Sequence, residues 1–306
     1  MNKELKNWGM LLLLACVWGS SFILMKRGMT HKATGEEIFS PNQVAAMRML
    51  LASLVVLPIG IKYIKIAKSA KIISGLLVVG FIGNFIPAFL FTYAETELSS
   101  GYAGMLNSCT PIFTLLIGYF IFKQQLISTQ VIGVLIGSAG IVWLVNGVEV
   151  ADTSGSLLHV LAVVLATLFY AMSVNTIKNV LHQLKPIQIT SVSLTFTFIP
   201  ALILFLSFDT TSVIVHNPHA LEALGYISIL AIVGTSLSVI VFNQLIANSS
   251  ALFASTVTYF IPIVALFIGI WDGEQFYIQQ LLALLVVLSG VYIANVLARR
   301  NLKKVQ

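Results

Sequence analysis

Long apolar runs separated by short polar segments dominate the sequence. Seven runs contain no Asp, Glu, Lys or Arg and are near or above the ~20 residues that a helix needs to cross ~30 Å of hydrocarbon. They are 7–25, 72–94, 98–122, 124–148, 153–177, 186–208 and 275–298. Pro41, which suits a helix start, precedes one further span, and the stretch 223–271 suffices for two more. The pattern predicts ten membrane-spanning helices, at 8–28, 42–61, 72–94, 99–122, 128–147, 155–177, 187–208, 221–244, 250–271 and 276–298.

The composition excludes soluble proteins. Of 306 residues, 58% are hydrophobic and 9% are charged, whereas a soluble domain carries about 25% charged residues. A soluble enzyme, a nucleic-acid-binding module and a disordered tail are therefore excluded. The first apolar segment lacks a small-x-small cleavage site and has Lys26 and Arg27 on its far side, so we expect it to be retained and not removed as a signal peptide. Cys16 and Cys109 lie inside apolar runs and imply no disulfide.

The charged residues are sorted between the two sides of the membrane. With the N-terminus in the cytoplasm, 13 of the 17 Lys and Arg residues fall in cytoplasmic segments, and ten of the eleven acidic residues fall on the other side. An excess of basic residues marks the cytoplasmic side. Because a miscounted span would scramble this sorting, it supports an even number of spans. We expect a multi-pass protein of the inner cell membrane with both termini cytoplasmic.

The second half of the chain repeats the first at an offset near 151 residues. The matches that composition explains least are Pro41 with Pro186, Pro111 with Pro262, Gly118 with Gly269, Gln130 with Gln280, and Gly140 with Gly290. They predict two five-helix repeats, in 1–150 and 151–306. Since five is odd, the second repeat enters the membrane from the opposite side. Inverted repeats are typical of secondary transporters that work by alternating access, with the substrate near the midplane.

Short motifs along essentially the whole chain resemble the EamA-like branch of the drug/metabolite transporter superfamily. Span one, LLACVWGSSFILMK, is similar to the family's Trp-Gly-Ser-x-Phe helix. Span four, SSGYAGMLNSCTPIFTLLIGYFIF, has the family's small-residue start and Ser-x-x-Pro, and span nine, NSSALFASTVTYFIPIVALFIGIW, repeats it. Spans five and ten look like its glycine-containing closing helices. The family's Gly-Glu pair is present as Gly273 and Glu274, but Lys123 and Gln124 replace it in the first half.

The resemblance implies a ten-helix carrier that exports or imports amino acids, related metabolites or drugs. It also implies a central cavity among spans one, three, four, six, eight and nine, with spans five and ten at the periphery. We expect a small-molecule substrate and the lipid bilayer as partners, no nucleic acid and no cofactor. A multidrug efflux carrier is the alternative. A channel or an intramembrane enzyme is disfavoured, because the sequence has neither rings of charge nor a paired nucleophile and base.

Polar and aromatic residues inside the spans are the candidates for substrate contact. A polar side chain in hydrocarbon usually faces the bundle interior or a water-filled path. Proline frees a backbone carbonyl one turn earlier, which favours positions beside Pro87, Pro111 and Pro262. Small hydroxyl residues in spans more often serve helix packing than ligand binding, so the packing interpretation stays open for them. The predicted substrate-binding residues are Trp18, Ser21, Asn84, Asn107, Tyr170, Asn175, Gln244, Thr258 and Tyr259.

Charged residues near the outer ends of the spans indicate a gate, and the predicted gating residues are Lys26, Arg27, Arg48, Glu95 and Glu97. Lys26 and Arg27 end span one, and Glu95 and Glu97 follow span three, so these four residues are predicted to pair, with solvated loop charges as the alternative. Arg48 is the one basic residue set well inside a predicted span. Its side chain either binds a substrate carboxylate or extends to the outer headgroups. The second interpretation is favoured.

No Asp or Glu lies in the interior of a predicted span. An intramembrane carboxylate is the usual proton relay or cation partner. We therefore predict facilitative exchange or export of neutral or zwitterionic solutes, and not proton-coupled efflux of lipophilic cations. His216 and His219 share an outer loop, where metal binding is at most weak, so no metal site is predicted.

Overall fold

Helices account for nearly all of the computed structural model, which describes residues 3–125, 127–146, 156–274 and 277–293. Within those ranges the only extended pairing is an isolated β-bridge between Thr30 and Glu37. The helices are α1 (Lys3–Gly19), α2 (Ser21–Met29), α3 (Pro41–Tyr63), α4 (Ala70–Leu77), α5 (Ile86–Ala94), α6 (Ser100–Leu106), α7 (Thr110–Phe120), α8 (Ser128–Asn146), α9 (Ser156–Asn179), α10 (Pro186–Ser207), α11 (Thr210–His216), α12 (Ala220–Ala231), α13 (Ser238–Asn248), α14 (Ala251–Ser255), α15 (Val257–Asp272) and α16 (Ile278–Tyr292).

Eight helical segments of the described chain are long and apolar enough to cross a membrane. They are Glu4–Met29, Pro41–Ile66, Ala70–Ala94, Ser100–Phe120, Leu157–Asn179, Pro186–Ser207, Ala220–Asn248 and Ala251–Asp272. Each overlaps one predicted span, so the chain is an all-helical, multi-pass membrane protein. The predicted fifth and tenth spans overlap α8 and α16, whose apolar stretches, Ser128–Gly140 and Leu281–Gly290, are shorter. Residues 147, 276 and 294–298 of these two predictions lie outside the described residues.

The start of α3 follows from its local sequence. Pro41 occupies the first turn, where its missing N–H costs nothing. Ser40 and Gln43 form a capping box: the Ser40 N–H donates to the Gln43 side-chain oxygen over 2.9 Å, and the Gln43 N–H donates to the Ser40 hydroxyl over 3.4 Å. The predicted helix start at Pro41 is confirmed.

The contacts between helices agree with the predicted repeat, which relates spans one to five to spans six to ten. A contact between two spans recurs between the two spans that the repeat relates to them. Span two (α3) packs along span seven (α10), and span five (α8) packs along span ten (α16). Contacts of α1 with α15 correspond to those of α9 with α7, and contacts of α2 with α12 correspond to those of α9 with α5. Gly60 brings α3 and α10 together, because a Cβ at this position would lie 2.6 Å from the carbonyl oxygen of Ser191.

Span one is interrupted at Ser20, whereas span six is continuous. Four other spans depart from regular α-helix, and these departures fall in corresponding places. Spans three and eight each contain a π-helical segment, and spans four and nine each contain a break of one to three residues. The segments are Val78–Phe85, Ile232–Leu237, a 3-10 turn at Asn107–Cys109, and Thr256 between α14 and α15. π-Helical turns are rare and are frequent at functional sites.

In the π-helical segments, some backbone carbonyls are no longer in α-helical register. Polar side chains donate hydrogen bonds to these carbonyls. The Asn84 side-chain amide donates to the carbonyl of Val79 over 2.7 Å, and the Thr235 hydroxyl donates to that of Leu230 over 3.1 Å, in each case five residues back. A backbone carbonyl without a partner is costly where no water reaches it. Asn84 and Thr235 therefore stabilise the irregular backbone that carries them.

Candidate functional site

A cavity lies among the irregular parts of spans three, four, eight and nine and the outgoing halves of spans one and six. Its volume is about 100 Å³, several times the roughly 10–15 Å³ that one water requires. Its polar lining residues are Ser21, Arg48, Asn84, Asn107, Thr110, Ser173, Thr235, Asn243, Ser255 and Thr258. Its aromatic lining residues are Trp18, Phe22, Phe91, Tyr170 and Phe242. The six spans that the resemblance implies all contribute, and span two adds Arg48.

Six of the nine predicted substrate-binding residues line this cavity. They are Trp18, Ser21, Asn84, Asn107, Tyr170 and Thr258. Trp18 is fixed by its indole N–H, which lies 2.9 Å from the carbonyl oxygen of Gly234 and 3.0 Å from the hydroxyl of Ser238. Tyr170 stacks on Phe91, with ring centroids 5.8 Å apart. The walls are therefore held by contacts between different spans, and substrate contact by these residues stays a prediction.

Arg48 is the single charged residue among those that line the cavity. Its Nε donates to the Thr235 hydroxyl over 3.0 Å, and Nη1 lies 3.5 Å from the sulfur of Met25. The four ion pairs among the described residues do not include it. The favoured interpretation, a side chain extended to the headgroups, is wrong, because the π-helical segment of span eight offers a hydroxyl acceptor inside the bundle.

The other three predicted residues lie outside the cavity lining. The Asn175 side chain is fully buried and donates to the carbonyls of Thr114 and Ala171, which joins α9 to α7. Gln244 bonds Asn248 along its own helix over 2.9 Å. Tyr259 is buried beside Thr258, but successive helical residues point about 100° apart, so only Thr258 reaches the cavity.

Besides Arg48, five polar lining residues were not among the predicted substrate-binding residues, namely Thr110, Ser173, Thr235, Asn243 and Ser255. Gly234 and Thr235 lie in the π-helical segment of span eight, and Ser255 precedes the break in span nine. Proline marked the irregular parts of spans three, four and nine, whereas span eight has none. The run Gly234-Thr235-Ser236 inside an apolar helix was the available signal for span eight.

An ion-pair layer closes one end of the bundle. The layer consists of Lys26, Arg27, Lys32, Asp272 and Glu274. The Lys26 ammonium lies 2.8 Å from a Glu274 carboxylate oxygen, Arg27 pairs with Asp272, and the Lys32 ammonium lies 2.8 Å from the same Asp272 carboxylate. These pairs join α2 and the loop after it to the end of α15.

Glu274 also binds the first turn of span four. Its carboxylate accepts from the backbone N–H groups of Ser100 and Gly101 over 3.1 and 3.3 Å, where the helix dipole favours negative charge. Burial alone would raise the pKa of Glu274, but the bond to Lys26 and the Ser100 amide lower that pKa below its ordinary value. The carboxylate therefore stays ionised and holds spans one, four and nine together.

The predicted pairing of Lys26 and Arg27 with Glu95 and Glu97 is wrong. The partners are Glu274 and Asp272, because the end of α15 lies against α2 and places both carboxylates there. Glu97 is exposed. Glu95 is 5% exposed, and both its carboxylate oxygens lack a hydrogen-bond partner among the described residues. A sequestered acid thus lies one residue beyond span three, although none had been predicted.

Glu95 should make stability depend on pH. Its burial, followed by the charge of Glu274, raises its pKa well above the ordinary value, while Lys26 and Arg48 act in the opposite direction. A carboxyl with a raised folded-state pKa contributes stability that is complete below its unfolded pKa and is lost as the pH rises to the folded pKa. The free energy of unfolding in detergent should therefore fall by at most about 1.4 kcal/mol per pH unit between about pH 4.5 and that higher pKa. The thermal midpoint should fall over the same interval.

Glu95→Gln should remove this part of the pH dependence and leave the variant more stable than the parent above the interval. Glu97→Gln is the matched control, since Glu97 is exposed two residues further on. Thermal unfolding of both variants from pH 5 to 8 checks the prediction. If the thermal midpoints of the parent and of Glu95→Gln changed with pH in the same way, the prediction would be wrong.

The opposite end of the bundle lacks an equivalent ion pair at the position that the repeat relates to Glu274. Gln124 occupies that position, and the turns match: the Gln124 N–H bonds the carbonyl of Gly118, as that of Glu274 bonds Gly269. The Gln124 side-chain amide reaches the side-chain oxygens of Asn175 and Asn179 over 3.4 Å each. These contacts are neutral and long.

Comparison with known proteins agrees with this architecture. The model of the EamA-like transporter family matches residues 7–146 and again 157–296. An "Uncharacterized transporter" of Archaeoglobus fulgidus is 25% identical over 94% of this chain and 98% of its own length. A "Probable amino-acid metabolite efflux pump" of Escherichia coli is 23% identical over 98% of both chains. A solved structure with 15% identity has a TM-score of 0.62 and covers 95% of this chain and 96% of its own, which shows a shared fold. The chain belongs to the EamA-like transporter family and is a membrane transporter.

Proposed function

We propose that this transporter exports small metabolites that carry a carboxylate, such as amino acids. The observation that carries the proposal is the Arg48 guanidinium, which faces the cavity with no carboxylate partner among the described residues. A guanidinium has five N–H donors and binds a carboxylate with two parallel bonds. Thr235 and Met25 engage two of its nitrogens. Relatives named amino-acid metabolite efflux pumps support the same substrate class and direction.

The remainder of the lining fits a small zwitterion better than a large lipophilic cation. Asn107, Ser173 and Asn243 offer neutral donors and acceptors, and the volume is about 100 Å³. The described lining residues include no anionic group, so a cationic drug would have only the aromatic rings to offset the charge of Arg48. Multidrug efflux is therefore the second candidate.

We further propose ten spans arranged as two inverted repeats, 1–150 and 151–306, in the inner membrane with both termini cytoplasmic. The two separate family matches, the recurring helix contacts and the paired irregular segments support the repeats. The sorting of basic residues supports the orientation. On this topology the ion-pair layer faces outward, and the end that carries Gln124 faces the cytoplasm.

Counterflow in proteoliposomes tests the function. Vesicles preloaded with an unlabelled amino acid should accumulate the labelled form transiently above equilibrium, whereas the corresponding amine without a carboxyl group should give no such overshoot. Overshoot with lipophilic cations but not with amino acids would favour multidrug efflux. Equilibration without overshoot would indicate a channel.

Opening of the ion-pair layer can be measured by cysteine labelling. In a background with Cys16→Ser and Cys109→Ser, Met25→Cys places a thiol at the cavity wall next to Lys26. Adding Glu274→Gln should raise its labelling by an impermeant maleimide from the outer side several-fold, since a partly exposed pair contributes up to about 1 kcal/mol. Glu97→Gln, in the same background, should leave the rate unchanged. Equal rates in all three proteins would exclude a gating role for Glu274.

A further inference from the structure

We propose that His31, His219 and Glu222 form a binding site for a divalent transition-metal ion such as Zn²⁺. Their ligand atoms all lie within 4.8 Å of one another, outside the cavity and the ion-pair layer. His31 lies in the loop after α2, His219 directly precedes α12, and Glu222 lies in the first turn of α12. Two imidazoles and one carboxylate are a ligand set found in zinc sites that keep a fourth position open.

The two rings are already together before any ion binds. His31 and His219 stack with ring centroids 3.7 Å apart and an interplanar angle of 14°. The backbone N–H of His31 donates to the carbonyl of Glu36, and the backbone N–H of His219 donates to the side-chain oxygen of Asn217, each over 2.9 Å. Both backbones are held by these bonds, so metal binding would require movement of the rings alone.

The hydrogen bonds around His31 leave its Nε2 available as a ligand. Nδ1 lies 3.0 Å from the Thr34 hydroxyl, and that hydroxyl donates to the carboxylate of Glu36. In the tautomer in which the Thr34 oxygen accepts, Nδ1 carries the proton. Neutral His31 then has its lone pair on Nε2, and a bond of this kind on the other ring nitrogen is how metal-binding histidines are usually oriented.

Nε2 of His31 faces a carboxylate oxygen of Glu222 over 3.7 Å. Either a proton on Nε2 or a metal ion held between the two groups makes this contact favourable. The other Glu222 oxygen accepts from the Tyr226 hydroxyl over 3.1 Å, which fixes the carboxylate. Arg27 and Lys32 are paired with Asp272 and do not supply a cation there. A metal ion would satisfy all three side chains at once.

Sequence reasoning considered His216 with His219, but the structure groups His219 with a residue from the first half. His216 is exposed and bonds back to Ser212 on α11. The site therefore links the loop after span one to the start of span eight, two spans that pack together. Nitrogen and carboxylate ligands suit Zn²⁺, Co²⁺ or Ni²⁺, whereas Mg²⁺ requires oxygen ligands.

Calorimetry on the purified full-length protein with Zn²⁺ alone tests the site. One equivalent should bind in the micromolar range, and Mg²⁺ should not bind. His31→Ala, His219→Ala and Glu222→Gln should each weaken Zn²⁺ at least tenfold, while His216→Ala, the matched control in the same loop, should not. Thermal midpoints measured without metal confirm that each variant is folded. No binding to the parent, or an equal loss in His216→Ala, would overturn the proposal.

The consequence for transport rests on the proposed function. An ion shared by spans one and eight should hold the outer end closed, so Zn²⁺ should slow counterflow in the parent and not in His219→Ala. Calorimetry does not depend on any substrate, so failure of the metal site and failure of the transport proposal give different results. Counterflow that is unchanged at saturating Zn²⁺ would overturn the outer-end consequence.

Discussion

Arg48→Met is expected to lower the transport of carboxylate-bearing substrates by about two orders of magnitude, because removing one partner of a desolvated charge pair costs about 2–5 kcal/mol. Methionine keeps the length and apolar volume of the arginine stem, and Met25 and Thr235 remain as neighbours. Arg48→Lys keeps the charge but loses the two parallel bonds, so we expect an intermediate loss of roughly tenfold. Initial rates and KM from proteoliposome uptake measure the effect.

The control for this prediction lies on the same helix. Lys62 is an exposed cation near the end of α3, far from the cavity lining, and Lys62→Met should transport at the parental rate. When Arg48 is replaced, the transport rate of a neutral substrate analogue should fall much less than that of the carboxylate-bearing substrate. If Arg48→Met kept the parental KM and rate for amino acids, the guanidinium would have no part in substrate binding.

Gly60→Leu should destabilise the fold by about 3 kcal/mol or more, because overpacking a tight interface displaces backbone. A Cβ at residue 60 would lie 2.6 Å from the carbonyl oxygen of Ser191 and 3.0 Å from Cβ of Thr195. Both atoms belong to α10, so α3 and α10 would have to separate, and backbone cannot rotate away as a flexible side chain can. We expect loss of the monodisperse peak in size-exclusion chromatography or a strongly lowered thermal midpoint.

Gly225→Leu provides the comparison. Gly225 is also inside a membrane-spanning helix, but a Cβ there meets no heavy atom within 4 Å. This variant should fold and elute like the parent, since it changes helix propensity without touching a neighbour. Equal behaviour of the two leucine variants would show that the α3–α10 contact is looser than the structure indicates.

The apolar runs were sufficient to predict most of the membrane-spanning helices. Runs without charge located seven of the eight membrane-spanning segments, because a charged side chain is costly in hydrocarbon. Pro41 indicated the remaining segment, which contains Arg48. Neither signal shows how two remote segments meet. Glu274, rather than Glu95 or Glu97, reaches Lys26 because span nine packs against span one, and that contact is set by the tertiary fold.

The resemblance implied a cavity among six spans, including span eight. Proline indicated lining positions in three of those spans, and no such signal indicated Thr235 in span eight. Pro87, Pro111 and Pro262 pointed to spans three, four and nine. The π-helical segment that presents Thr235 has no proline, and its extra residue per turn depends on side chains that bond carbonyls five residues back. Arg48 was assigned to the headgroups for the same reason, since its acceptor lies on that segment.

On the proposed alternating-access mechanism, the unequal ends of the bundle have an energetic consequence. The ion pair and backbone bonds of Glu274 join the spans at one end, whereas Gln124 makes only neutral contacts of 3.4 Å at the related position. At the Gln124 end, Lys178 bonds the backbone carbonyls of Ile246 and Ser249 and no carboxylate among the described residues. Each 1.4 kcal/mol of difference between two closures shifts the ratio of the two states tenfold. At rest, most molecules would have the cavity accessible from the Gln124 side. On the proposed topology that side is the cytoplasm, so cytosolic solute would find the binding-competent state already populated.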